Sequence, residues 1–486
     1  EIYTLSLHDA LPIFGAHMLI KKKKLKKARV SGPQAKPEPT SAIDTMAVTI
    51  AANDQIDGEL YGKYNVKRGL RNVNGTGVIV GLTKISDVVG YSLDEEKNKI
   101  PEEGRLYYRG YDVETLVQNC LDEGRFGFEE ISYLLLMGEL PNRQQLENYR
   151  KLVGEKRTLP QGFARDMILT APSKSIMNTL ARSILGLYCY DKNPDDISIS
   201  NVLRQSIDLT GYFPAIIAYA YQAKSSYYEL TSMHLHNPLP ELSTAENILR
   251  MIRPTGEYTN MEAKLLDISL ILHAEHGGGN NSSFTTHVIS SSGTDTYAAI
   301  AAAVGSLKGP KHGGANIAVI NMMNDIKANV KDITNEKDIS EYLTKILCGE
   351  AGDRSGLIYG MGHAVYTLSD PRTRLLKALA RQLAEYSGRM DEFRLYEMIE
   401  KLTPALHSEI TGIERPMCAN VDLYSGFVYS ALHIPLDIAT PLFATARLSG
   451  WVAHRLEELV AGNKLVRPAN MCVQPHREYV PIDKRK

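Results

Sequence analysis

Three short stretches in the C-terminal half of the chain each place one titratable side chain among glycines, small residues or asparagine. They are KGPKHGGAN around His312, GMGHAVYTLSDPR around His363 and NVDLYSG around Asp422. Glycine beside a histidine lets a substrate come close, and a positioned His, Asp or Glu exchanges protons efficiently near neutral pH. Two histidines and one carboxylate form an acid–base set, so the trio predicts an active site.

The surroundings of two of these residues indicate what each can do. His312 follows a break at Gly309-Pro310 and precedes a new apolar-periodic run, which predicts a position at or just before a helix N-terminus. The helix dipole there favours a neutral ring, and a neutral imidazole can donate a hydrogen bond to a developing oxyanion. Asp422 lies in a largely apolar strip, where loss of water raises the pKa of a carboxyl and makes it a better base. The structural alternatives are a helix-capping histidine and a turn or N-cap aspartate.

The elements that must position these residues are mostly helices. The segment PNRQQLENYRKLVG predicts an amphipathic helix that starts at Pro141-Asn142 and stops at Gly154. Its apolar positions are Leu146, Tyr149, Leu152 and Val153. A second predicted helix ends near Gly462, and its apolar face consists of Leu448, Trp451, Val452, Leu456 and Leu459.

Strand signals are few and early in the chain. GVIVGLTKISDVVGYSL and RLYYRGYDV are short, rich in β-branched and aromatic residues, and punctuated by glycine. They predict a small sheet or hairpins near the N-terminus. The expected fold class is therefore mainly α, with a small N-terminal β element.

The bulk composition is that of an ordinary globular protein large enough for more than one domain. The chain has 486 residues, of which 43% are hydrophobic and 23% charged, and no membrane span is visible. The cysteines show no CxxC pair, which favours a reducing compartment over a disulfide framework or a zinc site. They are Cys120, Cys189, Cys348, Cys418 and Cys472. We expect a cytoplasmic location.

The N-terminal segment differs from the rest. The net charge of −1 conceals a basic run, KKKKLKKAR, followed by SGPQAKPEPTSA, which is rich in Pro, Ser and Ala. The apolar stretch precedes the lysines, which is the wrong order for a signal peptide. Residues 1–45 are therefore predicted to be a disordered or artefactual arm. The downstream body is mildly acidic, and nothing in it predicts binding to nucleic acid or a membrane.

Taken together, the three stretches resemble the bacterial-type citrate synthase family, which includes citrate synthases and 2-methylcitrate synthases. The resemblance also runs through YNVKRGLRNVNGTG, LYYRGYDV, HAEHGGGNNSSF and REYVPIDKR, so it extends over nearly nine-tenths of the chain. It implies a citrate (Si)-synthase, an acyltransferase that condenses acetyl-CoA with oxaloacetate and water to give citrate and CoA.

The resemblance implies a role for each member of the acid–base set. The residue matching His312 polarises the thioester oxygen of acetyl-CoA, and the residue matching Asp422 removes a proton from the acetyl methyl group. The residue matching His363 donates a proton to the ketone oxygen of oxaloacetate. Ser282 matches a residue that orients the first of these histidines.

The resemblance also implies a set of substrate-binding residues. His276, Arg372, Arg447 and Arg467 match residues that contact the carboxylates of the substrate, and Phe443 matches an aromatic residue that packs on it. Arg467 matches a residue contributed by the partner chain, so we expect a homodimer. Many family members carry a second arginine soon after the matching Arg-Pro dipeptide, and RPANMC has none.

The family fold implies a small helical domain over 316–423, inserted into a large domain made of 46–315 and 424–486. The active site would lie in the cleft between them. No GxGxxG or Walker motif is present, so nicotinamide or ATP chemistry finds no support. His273 and His276 in HAEH lack an evident third ligand. We therefore expect no cofactor and no metal, with acetyl-CoA and CoA acting only as co-substrates.

Two alternative functions remain open. A 2-methylcitrate synthase would use the same catalytic set on propionyl-CoA, and one extra methylene changes binding by only about 1–3 kcal/mol. A catalytically inactive paralogue that binds CoA or citrate would usually have lost a catalytic residue, and none is lost here. A metal-binding protein built on HAEH has still less support.

Overall fold

The computed structural model describes residues 41–485 except 73, 97 and 463. The described chain forms two compact units. One contains the residues up to Ile79 and those from Arg467 onward, and the other runs from Val80 to Val466. The domain bounds expected from the sequence, 46–315, 316–423 and 424–486, stay a prediction.

The first unit contains little regular structure. It has helix α1 (Ala42–Asn53), helix α2 (Glu59–Lys63) and 3₁₀ turns at Arg68–Leu70 and Ile482–Lys484. Neither α helix has a buried residue. Most of the predicted arm, 1–40, lies outside the described residues. The last residues of the predicted arm, 41–45, form the start of α1. The Ser41 side chain caps that helix by accepting a hydrogen bond from the Asp44 N–H.

The second unit begins with a three-stranded antiparallel sheet. Strands β1 (Ser86–Leu93), β2 (Lys99–Tyr108) and β3 (Tyr111–Asp112) lie in that order, and the predicted N-terminal β element is confirmed. The strand bounds differ from the expected ones. Residues 77–85 lie outside the strands, and most of them are exposed: Leu82 is 94% exposed, and Ile85 is the buried residue of this stretch.

The remainder of the second unit is helical, so the mainly α fold class is confirmed. Short turns of π and 3₁₀ helix occur at Ala164–Leu169 and Tyr188–Tyr190. The α helices are α3 (Val113–Asp122), α4 (Phe128–Met137), α5 (Arg143–Glu155), α6 (Ile176–Leu187), α7 (Ile199–Tyr228), α8 (Thr244–Ile252), α9 (Asn260–His273), α10 (Asn281–Ser290), α11 (Thr296–Lys308), α12 (Ala315–Asn329), α13 (Glu336–Leu347), α14 (Pro371–Ser387), α15 (Met390–Thr411), α16 (Val421–Ala431) and α17 (Leu436–Ala461).

Helix α5 confirms the predicted start and corrects the predicted stop. Asn142 caps it in a reciprocal capping box with Gln145. Gly154, expected to end the helix, lies inside it. A Cβ there would come within 2.4 Å of the Pro240 carbonyl oxygen, so the glycine permits close packing and does not stop the helix. Leu152 is 47% exposed and does not belong to the buried face.

Helix α17 is the central helix of the second unit. It packs against α4, α7, α9, α10 and α11, and its predicted end at Gly462 is confirmed. Trp451 and Val452 are fully buried, as the predicted apolar face requires. Among the described residues, no helix is both long and apolar enough to span a membrane.

Candidate active site

Four of the eight sequence-predicted site residues of the second unit lie at or just before the start of a helix. Ser282 is in the first turn of α10, Arg372 in that of α14 and Asp422 in that of α16. His312 comes two residues before Gly314, the N-cap of α12, as predicted. Helix N-termini carry partial positive charge and unpaired N–H groups, so this placement favours anionic ligands.

His312 is held by Ser282. The His312 Nε2 and Ser282 Oγ atoms lie 3.0 Å apart, and the indole N–H of Trp451 donates to the same Oγ at 3.0 Å. Asn280 Oδ1, also 3.0 Å away, competes for the single Ser282 proton. When Ser282 donates to His312 Nε2, the ring keeps its hydrogen on Nδ1 and can donate it to a substrate oxygen. Trp451 was expected only as a core residue.

His312 is neutral at physiological pH. Burial, followed by the positive charge of Arg447, lowers the pKa of His312 to about 4. The direction of the shift agrees with the neutral ring predicted from the sequence, and burial is its largest cause. A neutral imidazole can polarise a carbonyl by donating a hydrogen bond.

The tautomer of His363 is fixed by the backbone that follows it. His363 Nδ1 accepts hydrogen bonds from the N–H groups of Val365 and Tyr366, each at 3.0 Å. The ring also stacks on Tyr366, with centroids 4.7 Å apart. Because Nδ1 is an acceptor, a neutral His363 carries its proton on Nε2 and presents that atom as a donor.

A tight contact couples the His363 loop to the helix that carries Asp422. Asn420 Nδ2 donates to the Gly362 carbonyl at 2.9 Å, while Asn420 Oδ1 accepts the Asp422 N–H at 3.0 Å. Gly360 has φ +83°, and a Cβ there would lie 2.9 Å from Leu423 Cβ. Asn420 thus links the segments that carry His363 and Asp422. Sequence reasoning missed this role, although an Asn two residues before Asp422 is an N-cap signal.

Asp422 is poised to accept a proton. Burial raises the pKa of its carboxyl to about 6, against the opposing charges of Arg372 and Arg447, and with a further contribution from Asp370. The direction predicted from the apolar strip is confirmed. A base with a pKa near the working pH combines a large ionised fraction with useful basicity.

Arg372 is already engaged by a carboxylate of the chain. Its Nε and Nη2 donate to the two oxygens of Asp370 at 3.0 and 2.7 Å, and both side chains are buried. Asp370 also caps α14. The guanidinium can therefore offer a substrate mainly its third nitrogen, Nη1. The sequence SDPR contained this partner, but only the fold shows that the two side chains pair.

Arg447 is a fully buried guanidinium with unused hydrogen-bonding capacity. Its Nε donates to the His273 carbonyl at 2.7 Å, and it lies 4.7 Å from the centroid of the Phe443 ring. Arg447 Nη1 has no hydrogen-bond partner within the described chain, and the same holds for His273 Nδ1 and His276 Nε2. Buried polar atoms without partners are costly, so these three nitrogens indicate a binding site for a ligand rich in acceptors.

Both histidines beside Arg447 are uncharged. Burial lowers the pKa of His273 and of His276 well below the ordinary histidine value, and the positive charge of Arg372 adds to the effect. Arg372 and Arg447 therefore supply the positive charge of this region, and the two rings supply neutral donors or acceptors. The His273 Nδ1 atom, which has no hydrogen-bond partner in the described chain, is free to contact a ligand.

Ring contacts bring the predicted residues together. The His276 ring lies 5.2 Å from that of His363, and the Phe443 ring lies 4.8 Å from that of His273 and 6.3 Å from that of His312. Since the charges of Arg372 and Arg447 both act on Asp422, the base adjoins the same cationic groups. The acid–base set and the cationic groups form one site.

Glu275 anchors the HAEH segment. It is fully buried, and although burial acts to raise it, the pKa of Glu275 falls to about 2 because of His454, Arg447 and Ser86. The Tyr108 hydroxyl donates to the Glu275 carbonyl at 3.1 Å, which attaches the segment to β2. Sequence reasoning considered the two histidines of HAEH and not the carboxylate between them.

Arg467 is the one predicted site residue outside the second unit. It belongs to the unit that contains the C-terminal residues, and it is exposed. Its role as a carboxylate ligand contributed by a partner chain stays a prediction.

Known proteins are similar to this chain over most of its length. Residues 70–469 match the family model described as citrate synthase, C-terminal domain. A citrate synthase from Corynebacterium glutamicum is 33% identical over 447 residues, which cover 90% of this chain and 94% of that protein. A 2-methylcitrate synthase from the same organism is 34% identical over 426 residues, covering 86% of this chain and 98% of that protein.

Solved structures show the same similarity. Citrate synthase from Thermotoga maritima is 31% identical with a TM-score of 0.67, over 87% of this chain and 99% of that one. Citrate synthase from Thermoplasma acidophilum, in a ternary complex with carboxymethyl-coenzyme A and oxaloacetate, is 26% identical with a TM-score of 0.71. That match covers 86% of this chain and 99% of the other.

Proposed function

The chain belongs to the citrate synthase family of acyltransferases, and from that premise we propose that it condenses acetyl-CoA with oxaloacetate and water to give citrate and CoA. One observation carries the choice of substrate class. Arg447 is buried with an unpartnered Nη1, beside the unpartnered His273 Nδ1 and His276 Nε2 in the described chain. A dicarboxylate with a ketone oxygen supplies acceptors for the Arg447 guanidinium and for a ring nitrogen that carries a proton, and it neutralises the buried charge.

The first chemical step is enolisation of acetyl-CoA. Asp422 takes a proton from the methyl group, while His312 donates a hydrogen bond to the thioester oxygen on which negative charge develops. The Asp422 pKa of about 6 supports its role as the base, and the neutral His312 ring supports its role as the hydrogen-bond donor. Both groups must act on one substrate at once, because the methyl group is a weak carbon acid.

The second step joins the two substrates. The enol carbon attacks the ketone carbon of oxaloacetate, and His363 Nε2 gives its proton to the ketone oxygen as that oxygen becomes a hydroxyl. The backbone N–H groups on His363 Nδ1 support this assignment because they place the proton on Nε2. Water then cleaves the citryl thioester and CoA leaves as the thiol. This chemistry is acid–base throughout, so it requires no cofactor and no metal in the reaction.

A second candidate reaction uses propionyl-CoA, because a 2-methylcitrate synthase is 34% identical over 86% of this chain. The deciding experiment compares kcat/KM for acetyl-CoA and propionyl-CoA at saturating oxaloacetate, with free CoA thiol as the readout. A ratio well above one for acetyl-CoA supports the citrate synthase assignment, and a ratio below one supports the alternative. If neither acyl-CoA turns over while CoA still binds, the protein is an inactive paralogue.

We propose further that the active protein is a cytoplasmic homodimer. All five cysteines are free, which supports a reducing compartment. For the dimer, Arg467→Ala chains mixed with Asp422→Ala chains should recover activity, since a mixed dimer contains one site with both lesions and one with neither. A fully active monomer in light scattering would overturn the dimer.

A further inference from the structure

A second cluster of titratable side chains joins α10 to α17 and takes no part in the proposed reaction. It consists of His287 on α10 and His454, Glu457 and Glu458 on α17, with Glu275 from the HAEH segment beside it. One ligand atom each from His287, His454 and Glu457 lies within 4.8 Å of the others.

The outer nitrogens of both rings are bonded to carboxylates. His287 Nδ1 lies 3.0 Å from Glu458 Oε2, and His454 Nε2 lies 2.9 Å from Glu275 Oε1. Glu275 Oε1 also accepts a hydrogen bond from the Ser86 hydroxyl at 3.0 Å. Because carboxylates only accept, each histidine must place a proton on its outer nitrogen.

The inner nitrogens then face each other with lone pairs. His287 Nε2 and His454 Nδ1 are 3.0 Å apart, and two neutral rings whose protons are on the outer nitrogens cannot hydrogen-bond there. A positive charge between them resolves the conflict.

Glu457 Oε2, 3.9 Å from His454 Nδ1, is buried and accepts no hydrogen bond from any residue the structure describes. A shared proton would satisfy two of these three atoms, whereas a metal ion satisfies all three.

We propose that His287, His454 and Glu457 bind one divalent transition-metal ion of the zinc class. Tetrahedral zinc with bonds of about 2.0–2.2 Å spaces its ligand atoms ~3.3–3.6 Å apart. The three ligand atoms here lie within 4.8 Å of one another, with 3.0 Å between the two nitrogens and 3.9 Å from His454 Nδ1 to Glu457 Oε2, so the side chains must shift by a few tenths of an ångström or more to hold the ion. Imidazole ligands favour Zn²⁺, Cu²⁺ or Ni²⁺ over Mg²⁺ or Ca²⁺. Outer carboxylates on metal-binding histidines are the usual means of fixing the tautomer and the ring orientation.

The proposed metal site can be reached from solvent, and it lies between two helices that carry predicted active-site residues. The His287 and Glu457 side chains are 16% and 14% exposed, so an ion can enter beside them, while His454 is fully buried. The ion would tie α10, which carries Ser282, to α17, which carries Arg447. It would therefore stabilise the helices of the catalytic site without taking part in the reaction.

The first experiment measures bound metal per chain. The full-length protein is stripped with a chelator, loaded with Zn²⁺, passed through a desalting column and analysed by mass spectrometry for zinc. We expect about one ion per chain for the parent, none for His287→Ala, and one for the control His407→Ala. His407 is a partly buried histidine on α15 whose ring nitrogen has only a long contact, 3.5 Å, with Thr411.

Cobalt identifies the ligands. Three cysteines are exposed and can bind zinc adventitiously, namely Cys189, Cys348 and Cys472. Co²⁺ at a His₂Glu site should give visible d–d absorption without thiolate charge-transfer bands. Glu457→Gln, which preserves size, should abolish this spectrum. Glu458→Gln, which removes only an outer partner, should weaken Co²⁺ binding by about 10–100-fold.

Two results would contradict the proposed metal site. If the parent binds no zinc above the cysteine background, or if His287→Ala and Glu457→Gln retain the ion and the cobalt spectrum, the cluster holds a shared proton. Should His287→Ala fail to fold, Glu457→Gln and the parent's own cobalt spectrum still decide the question. Because the readout is bound metal, its failure is distinct from a failure of the proposed enzymatic function.

Discussion

Arg372 and Asp370 form a buried, two-pronged ion pair, with hydrogen bonds of 3.0 and 2.7 Å, at the start of α14. An arginine expected to serve the substrate thus also compensates a buried carboxylate of the chain. The pair acts on the pKa of Asp422 in opposite directions: the charge of Arg372 lowers that pKa, and the charge of Asp370 raises it. The buried ion pair and the basicity of the Asp422 carboxylate are therefore linked at this point.

Replacing Arg372 with Leu should destabilise the fold as well as weaken oxaloacetate binding. Removing one partner of a buried pair leaves an uncompensated charge and costs about 3–5 kcal/mol in the free energy of unfolding. The matched control is Arg381→Leu on the same helix, whose 52% exposed side chain pairs with Glu397 and should cost at most about 1 kcal/mol. Urea denaturation measures both. Equal, small losses would show that the Asp370 pair does not stabilise the fold.

Replacing Arg447 with Leu should specifically weaken oxaloacetate binding. Loss of charge-assisted hydrogen bonds to a carboxylate costs about 1.5–3 kcal/mol each, or roughly 10–100-fold in affinity. Arg455→Leu is the control, because Arg455 is buried on the same helix but donates to Ser290, Thr294 and Thr296 of the chain itself. Calorimetric titration should show weakened binding for Arg447→Leu alone. Unchanged affinity in that variant would remove Arg447 from the substrate site.

Replacing His363 with Ala should lower kcat by at least about a hundredfold, the usual cost of losing a general acid. The fold should persist, because the ring is only partly buried and lies in a loop. Circular dichroism checks the fold, and steady-state kinetics measures the rate. An unaffected rate would show that His363 has a structural role and that another group protonates the ketone oxygen.

The pH dependence of stability should reveal the raised pKa of Asp422. Because the folded-state pKa of about 6 exceeds the ordinary value of 3.8, the folded protein binds a proton more tightly than the unfolded chain does. The ionised carboxylate therefore destabilises the fold as pH rises through about 6. Asp422→Asn removes this cost, so it should be more stable than the parent at pH 8 and close to it at pH 4. An advantage independent of pH would mean that the pKa is not raised.

The fold class could be predicted, and the candidate acid–base residues could be proposed, because the signals for both are local. Helical periodicity and the glycine-flanked histidines around His312 and His363 are each contained within a short stretch of sequence. Close packing is not local: Gly154 resembled a helix stop because the contact that explains it, with Pro240, comes from a distant segment.

The supporting residues of the site escaped prediction for the same reason. Trp451 contacts Ser282 across 169 positions, and Glu275 contacts Ser86 across 189. Asp370 and Asn420 each lie two positions before a predicted residue, but only the fold shows which groups their side chains contact. Burial could not be read from the sequence either: exclusion of water is the largest cause of the low His312 pKa, and it depends on the packing of the whole fold.

The most direct test of the account follows the methyl protons of acetyl-CoA. In deuterated solvent, with a non-reacting oxaloacetate analogue bound, the parent protein should exchange these protons, because Asp422 removes them reversibly. Asp422→Asn keeps the size and shape of the side chain but cannot accept a proton at neutral pH, so it should bind oxaloacetate and yet show no exchange by NMR. Exchange in the Asn variant as fast as in the parent would contradict the assignment of Asp422 as the base.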